Sequence, residues 1–305
     1  MELPSTPTAD VEVAGRRLRL TSLDRVLWPR EGITKRALLE YYARVAAVLV
    51  PHLAGRPLTL ARFPQGVRGR GFLQNECRGA PAWMRTAPLV LQTGEVRRYC
   101  LVDDTPSLLW VVNLGTVELH PYPAPAERPG APAAVLFDLD PGVGALLLDA
   151  CRVALRLRPL LVADGFEPVA KTSGVSGIHV FAAVQDAGFD AVRGYARSIA
   201  QRLADDDPAL VAAPRAHARR PHHVMVDWRQ NDPRRSTAAP YSLRATEPPG
   251  VSTPLRWPEI ETAVTAETAV ALTTSPAGVL ERIARHGDLF SAPAHPLPRL
   301  PDHDL

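Results

Sequence analysis

Lysine is nearly missing from this chain: Lys35 and Lys171 are its two lysines, and arginine supplies the rest of the 35 basic side chains. The codon bias of a GC-rich genome accounts for such Arg-, Ala- and Pro-heavy usage. Arginine content alone therefore says nothing of phosphate recognition, although the guanidinium suits it. A lysine that persists against the bias is a candidate for a specific role. Cysteine is scarce as well. Cys77, Cys100 and Cys151 are odd in number and show no CxxC spacing, which argues against a zinc ribbon or a disulfide frame and for a reducing cytosol. No apolar run is long enough to span a bilayer, and the opening MELPSTPTAD lacks the basic-then-apolar pattern of a secretory signal. A cytoplasmic chain with no membrane partner is the expectation. The net charge of +3 excludes a uniformly basic surface. The 305 residues, 46% hydrophobic and 22% charged, suffice for one large core or two lobes.

What is present centres on VLFDLDPG. Ala133–Leu139 is apolar and bounded by prolines, and reads as a buried strand. Side chains alternate along a strand, so Asp138 and Asp140 share one face and Leu139 takes the other. Two carboxylates there are costly without positive charge between them, and hard divalent cations want such oxygens. A lone DxDPG would equally cap a strand and open a turn. A second apolar strand, VMVDW, adds a third carboxylate, Asp227, and completes the set used in two-metal phosphoryl transfer.

Other elements surround these strands. Thr34 reads as the N-cap of an amphipathic helix, KRALLEYYARVAAVLVPHL, with Leu38, Leu39, Tyr42, Val45 and Leu49 on one face. Strands are expected at 18–20, 58–63, 71–76, 97–102, 117–122, 167–173, 177–184, 224–228 and 238–245, and helices at 107–114, 146–163, 191–203 and 277–286. This order lacks strict βα alternation and predicts an α+β fold with mixed or antiparallel sheets flanked by helices. The Pro-rich stretch 121–132 is the expected boundary. In KTSGVSGIHV a Ser/Gly-rich turn with free N–H groups would form an anion-holding nest beside Ser173, Ser176 and His179. Read singly, this turn, His120 in NLGTVELHPY and Arg244 in AAPYSLRA suit ordinary structural roles.

Taken together and in order, these motifs resemble the archaeo-eukaryotic primase superfamily, and within it the polymerase domain of bacterial ligase D of non-homologous end joining. The resemblance runs from about Leu20 to about Gly287 and includes LTSLDRVLWPREGITKRALLEYYARVAAVLVPHLAGRPLTLARFPQG, GFLQ, NLGTVELH, VLFDLDPG, KTSG–GIH and VDW–QN–AAPYSLRA. It implies a primase-polymerase core and template-directed nucleotidyl transfer, with Asp138, Asp140 and Asp227 holding two Mn2+ or Mg2+ ions. His120, Ser173, Ser176, His179 and Arg244 match positions around the incoming nucleotide. Arg25 and Lys35 match a basic pair that holds a downstream 5′-phosphate, Phe72 an aromatic that stacks on the template, and Arg215, His217, Arg219 and Arg220 a basic DNA loop. Residues 1–125 would form a DNA-gripping lobe and 126–305 the catalytic lobe of one compact domain. The implied partners are gapped or broken DNA with a 5′-phosphate, ribo- or deoxyribonucleoside triphosphates, Ku and a DNA ligase. A stand-alone actinobacterial type without ligase or phosphoesterase modules is expected.

The chain departs from the family pattern KTSGGKG. Val175 replaces a glycine, and Ser176 the lysine that would reach the triphosphate. That motivates an alternative, a DNA-end binding protein with weak or no polymerase activity. The intact aspartates argue against it. A metal-dependent nuclease would have no use for a triphosphate pocket ending in Arg244.

Overall fold

A computed structural model describes residues 3–90, 93–213, 220–291 and 297–301. The chain forms two units. One gathers everything up to Tyr122 together with Ser236–Val251 and Ser275–Gly287, and the other takes Pro123–Arg235, Ser252–Thr274 and the remainder. The first crossing falls at the Pro-rich stretch. The later returns differ from the single division at residue 125 expected from the sequence, because those segments find their apolar partners far back in the chain. Tyr41, for example, donates its hydroxyl to the Tyr241 carbonyl at 2.8 Å.

The first unit is built on the helix Lys35–Leu53, whose N-cap Thr34 accepts from the Ala37 N–H. Its apolar stripe, with Leu38, Leu39, Tyr42, Val45 and Leu49, is buried. Beside it lies a five-stranded sheet in which Pro57–Arg62 pairs with Phe72–Gln74, Val96–Leu101 and Thr116–Pro121. The buried Tyr42 hydroxyl donates to the Val117 carbonyl at 2.6 Å and accepts from the Leu243 N–H at 3.1 Å. It thereby fastens the short strand Leu243–Arg244 beside Thr116–Pro121. The expected longer strand over 238–245 is not there: Pro240 has no N–H to donate, and Tyr241 turns the chain with φ of 66°. Cys77 and Cys100 are disulfide-bonded, which corrects the expectation of unpaired thiols; Cys151 remains a buried thiol.

The second unit carries the aspartates. Its six-stranded sheet runs in the order Val211–Ala212, Val224–Asp227, Ala134–Pro141, Ile178–Ala183, Val169–Thr172, Pro254–Leu255, and the described pairings are antiparallel except for the first. Alternation decides what each face does. Val135, Phe137 and Leu139, with Ile178, Val180, Val224 and Val226, form one core with the buried stripes of the helices Leu147–Ala163 and Phe189–Asp206. The residues between them, Asp138 and Asp140 included, are left on the opposite face. The fold is α+β with mixed sheets, as the sequence predicts. No described helix is long and apolar enough to cross a membrane.

Candidate active site

Register places the chemistry. Lys171 lies opposite His179, His179 opposite Asp138, and Asp138 opposite Asp227, on four adjacent strands. Directly opposed residues share a face, with Cα atoms roughly 4.5–5.5 Å apart. The four polar side chains therefore make one transverse row, and Asp140, opposite Met225, stands two residues further along the same strand. The row alternates in charge. The Lys171 ammonium lies 2.8 Å from His179 Nδ1, and His179 Nε2 lies 3.3 Å from Asp138 Oδ1. Gln230 donates to Asp138 Oδ2 at 3.4 Å. Asp227 is held by Arg229, whose Nε and Nη2 reach its two carboxylate oxygens at 2.7 and 3.0 Å. Asn231, buried, pairs with both the N–H and the carbonyl of Leu136 at 2.8 and 2.7 Å, and so pins the turn after Asp227 to the DLD strand.

The KTSGVSG turn differs from the nest expected of it. The N–H groups of Val175 and Gly177 point inward to Ser173 Oγ at 3.2 and 3.0 Å. Ser173 still has its own O–H to donate. Gly177 is required here, since a Cβ would stand 2.4 Å from the Leu139 carbonyl oxygen. Val175, 60% exposed, and the exposed Ser176 form the loop tip.

In the first unit His120 and Arg244 meet on Glu118, a residue sequence reasoning missed. His120 Nε2 and Arg244 Nε lie 2.8 and 3.0 Å from Glu118 Oε2, and the Ala245 N–H donates to Oε1 at 2.9 Å. Burial works to raise the Glu118 carboxyl, but the His120 hydrogen bond, the Arg244 charge and the Ala245 N–H outweigh it and hold it at about 2. Glu118 is therefore ionised and aligns both cationic groups. Alternation in TVELHP puts it on the His120 face, which was the available signal.

A second cluster in this unit contains Arg25, Lys35 and Phe72. Lys35 is buried and donates to the Thr21 carbonyl at 2.6 Å. Burial, with the charges of Arg25 and then Arg62, lowers its ammonium to about 8. Arg62, also missed, lies 5.2 Å from the centre of the Phe72 ring, which is 45% exposed. The cluster thus pairs crowded positive charge with an open aromatic face, a combination suited to a phosphate and a base. Arg220 is exposed on the segment before the Asp227 strand. Arg215, His217 and Arg219 lie outside the described residues.

The family model for the LigD primase-polymerase domain matches residues 34–290. The chain belongs to the LigD primase-polymerase domain family. With the family goes the enzyme class, a polymerase-type nucleotidyltransferase that uses divalent metal. The chain is 34% identical over 285 residues to the multifunctional non-homologous end joining DNA repair protein LigD of Mycobacterium tuberculosis, covering 90% of this chain and 37% of that protein. It is 28% identical over 277 residues to the bifunctional LigD of Bacillus subtilis, covering 90% and 44%. The chain therefore spans about two fifths of these curated relatives. Among solved structures it resembles the polymerase domain of Mycobacterium tuberculosis ligase D in complex with DNA, with a TM-score of 0.83 and 33% identity, covering 91% of this chain and 99% of that one.

The donor set fits a divalent cation. Asp138, Asp140 and Asp227 offer carboxylate oxygens on one face, and the Arg229 guanidinium already stands in for a cation at Asp227. Among the described residues, no three His, Cys, Asp or Glu are drawn together as a ready-made metal cluster, and the Arg229 ion pair is one physical reason. Arg229→Ala is expected to tighten Mn2+ binding in the absence of nucleotide, because the ion no longer displaces a charge-assisted pair of hydrogen bonds worth roughly 1.5–3 kcal/mol. The same change should lower the thermal midpoint of the metal-free protein. Isothermal titration with Mn2+ checks it; an unchanged affinity would mean that the ion pair opposes nothing.

Proposed function

We propose that this domain is a template-directed primase-polymerase that fills or extends gapped and broken DNA bearing a 5′-phosphate. It works in the cytoplasm in non-homologous end joining, alongside Ku and a DNA ligase. The reading rests above all on the register that sets Asp138 opposite Asp227, with Asp140 on the same face. In the reaction the primer 3′-oxygen attacks the α-phosphorus, the bond to the bridging oxygen breaks, pyrophosphate leaves, and the hydroxyl proton is released. Two ions, Mn2+ preferred over Mg2+, held by the three aspartates would lower the pKa of that hydroxyl and neutralise the leaving pyrophosphate. The Ser173 hydroxyl, His179 and Arg244 donate to phosphate oxygens. His120 contacts the sugar region. Lys35 and Arg25, supported by Arg62, hold the downstream 5′-phosphate, Phe72 stacks on the template base, and Arg215, Arg219 and Arg220 engage the primer strand. Extension of a recessed primer with Mn2+ tests this directly: the base added should follow the template base. Ribonucleotides should be used at least as well as deoxyribonucleotides, since a polar site built around a 2′-hydroxyl disfavours a substrate without one; a strong deoxyribonucleotide preference would contradict this.

One observation favours the second reading, a DNA-end binding protein that polymerises weakly. The exposed loop tip carries Val175 and Ser176 and no ammonium. If the polymerase reading holds, the cost falls on nucleotide affinity. Ser176→Lys, alone or with Val175→Gly, is expected to lower the nucleotide KM severalfold or more and to change kcat less, because a triphosphate contact is made in ground and transition states alike. An unchanged nucleotide dependence in the double variant would mean that another group fills the role.

A further inference from the structure

Lys171 has no part in the chemistry so far, yet it is fully buried and sits at the head of the row that ends in the metal-binding aspartates. An ammonium has three hydrogens to donate and no acceptor. One goes to Ser252 Oγ at 2.7 Å. That hydroxyl donates its single hydrogen to the Thr172 carbonyl at 3.1 Å, so it presents a lone pair to Lys171. Another faces His179 Nδ1 at 2.8 Å.

We propose that Lys171 is a positioning residue that holds His179 as the neutral imidazole with its hydrogen on Nε2. Both ends of the ring agree on this state. The Nδ1–H tautomer would turn a hydrogen toward the ammonium and leave the Nε2 lone pair against the Asp138 carboxylate, 3.3 Å away. The imidazolium would satisfy Asp138 but set N–H against ammonium at Nδ1. The Nε2–H tautomer alone gives each end the complementary partner. The ring is also held from the side: Phe181 lies 6.4 Å from the imidazole centre, edge to face, and 5.6 Å from the Lys171 ammonium, and is itself packed on Phe290 at 5.2 Å.

The consequence is a fixed polarity. His179 presents an N–H toward Asp138 and whatever oxygen joins it there, so it donates to a phosphate and does not take the proton of the primer hydroxyl through Nε2. Only the identity of that phosphate oxygen rests on the polymerase reading; the tautomer does not. Long-range 1H–15N correlation on the metal-free protein with labelled histidine tests it, with His179→Gln assigning the ring. The wild type is expected to show a pyridine-type Nδ1 and a pyrrole-type Nε2. A pyrrole-type Nδ1, or two protonated nitrogens near neutral pH, would overturn the proposal. Lys171→Met should mix the tautomers and raise the nucleotide KM about three- to tenfold with DNA affinity unchanged, and Lys171→Arg should restore both. A Lys171→Met protein with the wild-type tautomer would also overturn it. If the polymerase reading alone is wrong, the spectra hold and the kinetic effect is absent.

Discussion

Asp138→Ala, Asp140→Ala and Asp227→Ala are each expected to cut nucleotidyl transfer by on the order of a thousandfold or more, with DNA binding nearly unchanged. The asymmetry follows from where the charges lie. The carboxylates are the oxygen donors for the ions, whereas DNA affinity comes from basic groups. The three variants should not be equivalent in stability. Asp227→Ala leaves the Arg229 guanidinium without its bidentate partner, and Asp138→Ala leaves the His179 N–H facing an empty position. Asp138→Asn is the cleaner control, since an amide oxygen still accepts from His179 while the charge is gone. It should fold as the wild type does and remain inactive. Template-dependent extension by any of the alanine variants at near wild-type rate would remove the metal site from the account.

The 5′-phosphate should matter nearly as much. Gapped DNA carrying it is expected to bind roughly tenfold to a hundredfold more tightly than the 5′-hydroxyl form, the worth of a small set of charge-assisted contacts. Lys35→Ala should erase most of that difference. The preference should also depend on pH with a definite sign. In the protein without DNA the Lys35 ammonium is lowered to about 8 by burial and by the charges of Arg25 and Arg62. A bound phosphate dianion opposes all three effects and draws the proton back, so binding takes up a proton above that pH and affinity falls as pH rises from 7 to 9. Titration of both DNA forms at several pH values checks this. A preference that stays flat through pH 9, or that survives Lys35→Ala, would place the phosphate elsewhere.

Much of the catalytic unit was legible because its signals are local. Alternation in VLFDLDP assigns Val135, Phe137 and Leu139 to the helices and Asp138 and Asp140 to the other face, and the strand is built so. Thr34 and the apolar stripe after it likewise fix the first helix within the chain's own neighbourhood. What could not be read is tertiary. Nothing near Asp227 in a generic strand-and-turn reading says that Arg229 would fold back on it, and nothing near His120 says that Glu118 would gather Arg244 from 126 residues away. Cys77 and Cys100 lie 23 residues apart in no spacing motif, and meet because the loop after Phe72–Gln74 returns to a strand of the same sheet. The division of the chain was misjudged for the same reason. A segment such as Ser236–Val251 belongs to the first unit through partners like Tyr41 and Tyr42, which no composition shift announces.

The central claim is that this domain adds a templated nucleotide at a gap it recognises by its 5′-phosphate. Single-nucleotide filling of a one-base gap, with Mn2+ and each of the four ribonucleotides in turn, measures both halves together. The expected result is one added nucleotide, complementary to whichever template base is placed in the gap, and faster on the 5′-phosphorylated duplex than on its 5′-hydroxyl twin. Tight binding to both duplexes with no nucleotide added, at any Mn2+ or nucleotide concentration, would contradict it.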